Sequence, residues 1–366
     1  MKTSAAITHG KGEPFTIEEI TIENPKAGEV LVRIIASGIC HTDLIVRDQY
    51  YPVPLPAVLG HEGSGIVEKV GQGVHSVQPG DHVVLSYSSC GECNNCRSGN
   101  PYGCTQFFTL NFTGKMEDGT SRLHKDGEEL SNFFGQSSFA CYSVVSERNV
   151  VKVDKDVPLE LLGPLGCGIQ TGSGAVLNKL QPKAGSSIVI FGCGSVGLSA
   201  LMAAKVASCT TIIAVDLQNN RLELAKELGA THTINPKDTN TLDEIQRITG
   251  GGVEYSVETT SRPEVLRQAV DCLATLGKAV VIGAPPLGTE VNLDVNTILF
   301  ERSVTGVLMG SGVPQLYIPK LIKLYQQGQF PFDKLIKYYR LEEINQASKD
   351  SETGITIKPV IKIGEV

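Results

Sequence analysis

An α/β fold, with a doubly wound parallel-sheet domain set between two parts of a β-rich domain, follows from three observations. The chain changes texture near Ser187, from short β-branched runs broken by Gly and Pro to an alternation of strand and helix. A glycine-rich turn sits between a strand and a helix inside that alternation. With 366 residues the chain is also long for one hydrophobic core, so two domains are expected.

Before the change, VLVRIIASGI (Val30–Ile39) and GIVEKV (Gly65–Val70) read as strands of the β-rich part. After it, SIVIF, TTIIAVD, VEYSVE and KAVVIG read as buried parallel strands separated by helical segments. The alternation fades around Leu308, where a helix over Tyr317–Gln327 and a final strand, IKPVIKI, follow. The expected division is 1–169, then 170–310 for the parallel sheet, then 311–366 returning to the first domain. The stretch Ala184–Ala204 carries no charge, but its strand-like IVIF and repeated glycines fit a buried strand turning into a helix better than a membrane span.

A net charge of −7, with no basic run interleaved with aromatics, argues against nucleic acid as a partner. The N-terminal MKTSAAITHGKGEPF holds no apolar stretch of signal-peptide length, so a cytoplasmic chain is expected. In that setting its ten cysteines are better read as thiols and metal ligands than as disulfides.

FGCGSVGLSA supplies G-x-G-x-x-G at Gly192, Gly194 and Gly197. The first glycine permits the tight turn, the second lets backbone approach a pyrophosphate, and the third allows close helix–strand packing. Val196 lies in the first turn of the helix, whose unpaired N–H groups suit phosphate oxygens. Asp216, ending IIAVD, stands about 20 residues on, where a carboxylate meets the adenosine ribose. This is the Rossmann arrangement. Asp216 would repel a 2′-phosphate, which favours NAD over NADP, while Arg221 could neutralise that charge.

CGECNNCRSGNPYGC places Cys90, Cys93, Cys96 and Cys104 in one short loop. Bacterial ferredoxins share the first two gaps but not the longer last one, which here closes without Cys-Pro. Four thiolates within reach of one ion suit a closed structural zinc site, with an iron–sulfur cluster or plain thiols as the alternatives. Cys40, His61 and Cys167 each sit beside small, turn-forming residues in GICHTD, LGHEGSG and GPLGCGIQTG. Singly, each reads as a buried thiol or a satisfied histidine. Together they match a Cys2His set with an open position, as in catalytic zinc sites, although spacing alone does not show that they converge.

With these motifs in order over essentially the whole length, the chain resembles the zinc-dependent medium-chain alcohol dehydrogenase family. Within it the chain is most similar to the aryl-alcohol (benzyl-alcohol) dehydrogenase branch. The resemblance implies a GroES-like catalytic domain bearing the zinc lobe at 90–104, an NAD-binding Rossmann domain, and an active site in the cleft. It implies Cys40, His61 and Cys167 as catalytic zinc ligands, and Glu62 as an acid able to approach the metal. Asp43 matches the carboxylate that orients the zinc-bound histidine, and Thr42 the hydroxyl that takes the alcohol's proton. His41 and Lys358 fall at basic positions near the cofactor phosphates. Ile45 stands where many relatives carry a histidine that ends the proton relay.

The implied reaction is reversible oxidation of a primary aromatic alcohol, with zinc as Lewis acid and NAD as hydride acceptor. Tyr50, Tyr51, Phe107, Phe108 and Phe112 are candidates for a flat apolar substrate pocket, or for ordinary core. The alternative within the family is glutathione-dependent formaldehyde dehydrogenase, which shares CHTD and SRLHKDG. Phe108 falls where that branch carries an arginine for the glutathione carboxylate, which favours the aryl reading. A non-catalytic, cofactor-binding structural protein is the alternative from another class, and the seven Cys and His ligands together with Thr42 argue against it. The resemblance also implies a homo-oligomer, dimer or tetramer, paired through the sheet edge near Ser303–Leu308.

Overall fold

A computed structural model describes the whole chain, Met1–Val366. It separates into two compact units, one of Met1–Cys167, Val313–Ile322 and Asp333–Val366, the other of Gly168–Gly312 and Lys323–Phe332.

The first unit is built on two mainly antiparallel sheets. In the larger, the order runs Val150–Val153, His82–Leu85, Gly63–Val70, Glu29–Gly38, Lys358–Lys362, Ile336–Arg340, with Tyr142–Ser146 also pairing on Glu29–Gly38. The β-branched run expected at Val30–Ile39 is thus its central strand, buried almost throughout. Its inward Val30, Val32 and Ile34 pack with Val67, Val83 and Val145 in one core. The smaller sheet places the hairpin Lys2–Thr8 and Thr16–Ile22 between Ala57–Val58 and Leu123–Lys125. Its core joins Ile7, Ile20 and Ile22 to Leu31 and Val144 of the larger sheet.

One buried cation fastens the loop before Leu123 to the central strand. Arg122, 1 % exposed, donates through Nε and Nη2 to both oxygens of Glu29 at 3.0 and 2.5 Å, and through Nη2 to Asp118 at 2.8 Å. This bidentate geometry is the strong form of the guanidinium–carboxylate pair.

The second unit holds a six-stranded, wholly parallel sheet in the order His232–Ile234, Thr211–Val215, Ser187–Phe191, Val253–Glu258, Leu273–Val281, Ser303–Gly306. Its central strands are apolar runs because helices cover a parallel sheet on both faces. Val189, Phe191, Ile213 and Val215 pack with Ile245, Val270 and Leu273. The order reverses direction at Ser187–Phe191, the kind of switch point where such sheets bind ligands. The uncharged stretch noted above divides into the strand Ser187–Phe191 and the helix Ser195–Val206, and no helix is long and apolar enough to cross a membrane. The α/β fold class is therefore as expected, with a Rossmann-type sheet in one unit and a β-rich, GroES-like architecture in the other.

Arg122→Met should lower the stability of the first unit by roughly 3–5 kcal/mol, because it leaves the Glu29 carboxylate buried without its partner. Calorimetric unfolding of the variant and the parent checks this, and an unchanged transition would show the pair to be dispensable.

Candidate functional site

The candidate ligand set in the first unit is assembled around Asp43. Cys40 caps the short helix His41–Arg47, and its own N–H donates to Asp43 Oδ2 at 2.9 Å. Asp43 Oδ1 accepts from Gly60 N at 3.0 Å and from His61 Nδ1 at 2.8 Å. Asp43 and His61 are both fully buried. A carboxylate can only accept, so Nδ1 carries a proton toward Asp43. Burial alone would lower the His61 pKa, but the Asp43 charge raises it against that effect. In the neutral imidazole that a metal ligand requires, Nε2 is left with the lone pair. That Nε2 is buried and has no hydrogen-bond partner.

The ligand atoms of Cys40, His61, Glu62 and Cys167 lie within 4.8 Å of one another. Convergence, which spacing left open, is thus observed. The orphaned Nε2 amid two thiols and a carboxylate is a set of donors that fits a zinc ion. Hydrogen bonding from the Cys167 thiol, reinforced by His61, lowers the Cys40 pKa well below that of an ordinary thiol. Thr42 Oγ1 lies 3.8 Å from Cys40 Sγ. Ile45 is buried on the same helix, and His41 at its start is exposed.

Lys358 is almost wholly buried against Glu62. Its Nζ stands 2.9 and 3.1 Å from the two carboxylate oxygens and donates to the Ile39 carbonyl at 3.1 Å. Burial alone would depress the Lys358 pKa, but the Glu62 and Cys40 charges outweigh it and raise it. The ammonium therefore stays charged and balances anionic groups of the ligand set.

Aromatic rings cover His61. Phe133 and Phe134 lie 5.4 and 4.8 Å from the imidazole, Phe112 contacts both, and Tyr51 lies 6.1 Å from Phe112. Phe108 is 65 % exposed with its ring 5.4 Å from Phe112, whereas Phe107 is buried against Tyr87 and Phe134. Tyr50 projects into solvent. Residue spacing gave no reason to expect Phe133 and Phe134 on His61, the one local sign being the dense aromatic string FFGQSSF.

The four-cysteine loop also converges, its sulfurs lying within 4.8 Å of one another. Cys90 Sγ is 3.4 Å from Cys104 Sγ and 3.9 Å from Cys96 Sγ. Backbone N–H groups point at the sulfurs, from Cys93 to Cys90, and from Cys90 and Gln106 to Cys104. N–H donors of Cys96 and Thr105 bring the Cys93 thiol down to about 5. Clustered sulfurs supplied with N–H donors suit a closed metal site. All ten cysteines are free thiols.

In the second unit, Gly192 has φ +93°, and a Cβ there would lie 2.6 Å from Thr259 Oγ1. A Cβ on Gly197 would lie 1.8 Å from the Gly192 carbonyl oxygen, so helix and turn pack as the motif requires. A Cβ on Gly194 would meet nothing within 4 Å, leaving an open face at the N-terminus of Ser195–Val206, beside Val196. Asp216 accepts from Cys193 N at 2.7 Å and Gln218 N at 2.9 Å, with Arg221 Nη1 4.0 Å away. Gly192, Asp216, Arg221, Thr260 and Arg262 line a cavity of about 360 Å³. The open glycine face and this cavity fit a dinucleotide.

Comparison with known proteins agrees with both units. Residues 195–327 match the family of zinc-binding dehydrogenases, and residues 26–155 match the alcohol dehydrogenase GroES-like domain. The crystal structure of benzyl alcohol dehydrogenase from Acinetobacter calcoaceticus is 55 % identical, superposes with a TM-score of 0.97, and covers 100 % of both chains. Geraniol dehydrogenase of Castellaniella defragrans is 44 % identical over 99 % of this chain and 98 % of its own. S-(hydroxymethyl)glutathione dehydrogenase of Saccharomyces cerevisiae is 36 % identical over 100 % of this chain and 97 % of its own. With likeness running the full length of such relatives, and with both domain matches in order, the chain belongs to the zinc-binding medium-chain alcohol dehydrogenases.

Proposed function

We propose that this enzyme oxidises a primary benzyl-type alcohol reversibly to its aldehyde, with NAD as hydride acceptor. The observation that carries the reading is the ring wall running from His61 through Phe133, Phe134 and Phe112 to Tyr51 and Phe108. The 55 % identity to a benzyl alcohol dehydrogenase supports it.

When bound, zinc supplies a Lewis acid for the alcohol oxygen and NAD supplies the hydride acceptor. Cys40, His61 and Cys167 are the residues that would hold the catalytic ion, and Cys90, Cys93, Cys96 and Cys104 the structural one. Asp43 keeps His61 in the tautomer whose Nε2 is free to ligate. Lys358 neutralises Glu62, limiting the negative charge accumulated near two thiolates. Thr42 takes the alcohol's proton, and because Ile45 cannot titrate, the proton leaves through water or His41. Gly192, Gly194, Val196 and Gly197 receive the pyrophosphate, and Asp216 the ribose hydroxyls, with Arg221 alongside. Free thiols fit a reducing, cytoplasmic compartment. The edge strand Ser303–Gly306, flanked by exposed Leu299, Phe300 and Leu308, supports a homo-oligomer paired along that edge.

The exposed apolar ring of Phe108 offers nothing to a carboxylate. Benzyl alcohol should therefore exceed S-(hydroxymethyl)glutathione in kcat/KM by at least ~100-fold, since a site that leaves a charged group unpaired rejects it strongly. Geraniol, an apolar allylic alcohol, is the informative third substrate, and the 44 % identical relative favours its turnover. A kcat/KM comparison of the three with NAD tests the reading. Preference for the glutathione adduct would move the enzyme to that branch, and preference for geraniol would replace the aryl assignment.

Elemental analysis should find two zinc ions per chain, and Cys167→Ser should abolish turnover while the four-cysteine site stays loaded. Iron in that loop, or a single zinc, would contradict the ligand assignment.

NAD should be preferred to NADP, and Asp216→Ser should narrow the ratio of the two kcat/KM values by about tenfold or more, as expected when a repulsion of about 1.4 kcal/mol is removed. A parent enzyme that already prefers NADP would give Arg221 the deciding role.

A further inference from the structure

The segment Phe133–Ser137 grips the His61 side of the ligand set through the side-chain amide of Gln136 as well as through the rings. Gln136 is 1 % exposed and uses its entire side-chain amide. Its Oε1 accepts from Gly63 N at 3.2 Å, and its Nε2 donates to the carbonyls of His61 at 3.0 Å and Ser86 at 3.3 Å. One N–H partner and two carbonyl partners leave the amide a single orientation. Ser86 Oγ in turn donates to the carbonyl of Gly166 at 2.8 Å, the residue before Cys167.

The segment is itself held. The carbonyl of Gln136 accepts from Ser143 Oγ, and Phe133 N donates to Ser137 Oγ at 2.9 Å. Phe134 takes φ +54°, a left-handed conformation that costs a bulky residue of order 1–3 kcal/mol and persists only where its surroundings enforce it. Here Phe134 N donates to the Asn111 carbonyl at 3.0 Å while its ring lies against His61.

We propose that Gln136 is a positioning residue for the catalytic metal site: one buried amide that locks the His61 backbone to Ser86, and through Ser86 to the turn carrying Cys167. The proposal rests on the reading of Cys40, His61 and Cys167 as ligands. The bonds of Asp43 tie Cys40 to His61. Those of Gln136 and Ser86 extend the frame toward Cys167. A metal site needs its ligand atoms held to within about 0.5 Å, and a ligand carried on a separate turn meets that demand only if its backbone is fixed to the others.

Two substitutions test the role in the full-length protein. Gln136→Met keeps the length of the side chain and removes all three bonds. Gln136→Glu keeps the acceptor facing Gly63 and sets a carboxylate oxygen against two carbonyls. Metal release to a chromogenic chelator is followed for both sites, and the visible absorption of the cobalt(II)-substituted protein reports geometry independently of turnover. Gln136→Met should weaken retention at Cys40, His61 and Cys167 by about 10–100-fold, the range for groups that orient ligands, with Gln136→Glu weaker still. Retention at Cys90–Cys104 should be unchanged, and the cobalt bands of the catalytic site should shift. Equal loss from both sites that tracks a fall in Tm would reduce Gln136 to a packing role and overturn the proposal. Unaltered release with unaltered cobalt bands would do the same. If neither Gln136 variant folds, Ser86→Ala decides, because it removes the link to Gly166 and must show the same selective loss at smaller amplitude. A parent protein that binds metal only at the four-cysteine loop would defeat the ligand reading itself, a result distinct from a two-metal parent with indifferent variants.

Discussion

The hydrogen bonds of one fully buried carboxylate organise the ligand set of the first unit. Asp43 gives up all contact with water, a transfer that costs several kcal/mol for an ion unless its oxygens are satisfied. Three donors satisfy them: the N–H groups of Cys40 and Gly60, and His61 Nδ1. Those bonds define the cap of the helix carrying Thr42, the bend of the chain before His61, and the presence of a proton on the imidazole Nδ1. Nε2 is left without a hydrogen-bond partner, and in a neutral imidazole whose one proton is committed to the carboxylate it turns a lone pair toward whatever fills the site.

Charge balance around that frame comes from the far end of the chain. Glu62 would stand as an unpaired anion beside two thiols, in a place where burial strengthens every electrostatic interaction. Lys358 lies on the strand that pairs with Glu29–Gly38, and this pairing brings its ammonium to Glu62 across some three hundred residues of sequence. The final strand thus contributes more than sheet closure. It delivers the cation that lets a carboxylate and two thiols occupy one buried volume.

What was legible in the sequence is what is local. The strand before Gly192, the helix after it, and Asp216 at the end of the next strand are encoded within a few dozen residues, and the parallel sheet follows from runs of buried β-branched side chains. The four-cysteine loop was legible for the same reason, since its ligands lie within one turn-rich segment. The convergence of Cys40, His61 and Cys167 was suggested by residue type but settled by tertiary structure. Least legible were the N-terminal hairpin, the Lys358–Glu62 pair and the buried amide of Gln136. Each depends on contacts between distant strands or loops, for which neither periodicity nor a motif supplies a signal.

The two layers of the site differ in how freely sequence change can act on them. Asp43, His61, Glu62 and Lys358 are buried and bonded in two pairs, Asp43 with His61 and Glu62 with Lys358, so a change at one exposes an unpaired charge at its partner. Phe108 and Tyr51 each meet Phe112 through ring contacts, and Phe108 is largely exposed. Replacing such a ring alters shape and polarity at the rim while leaving the ligand frame bonded. The candidate ligand frame and the ring wall are therefore different parts of one unit. The frame is constrained by satisfied charges, and the rim is constrained mainly by what must fit against it.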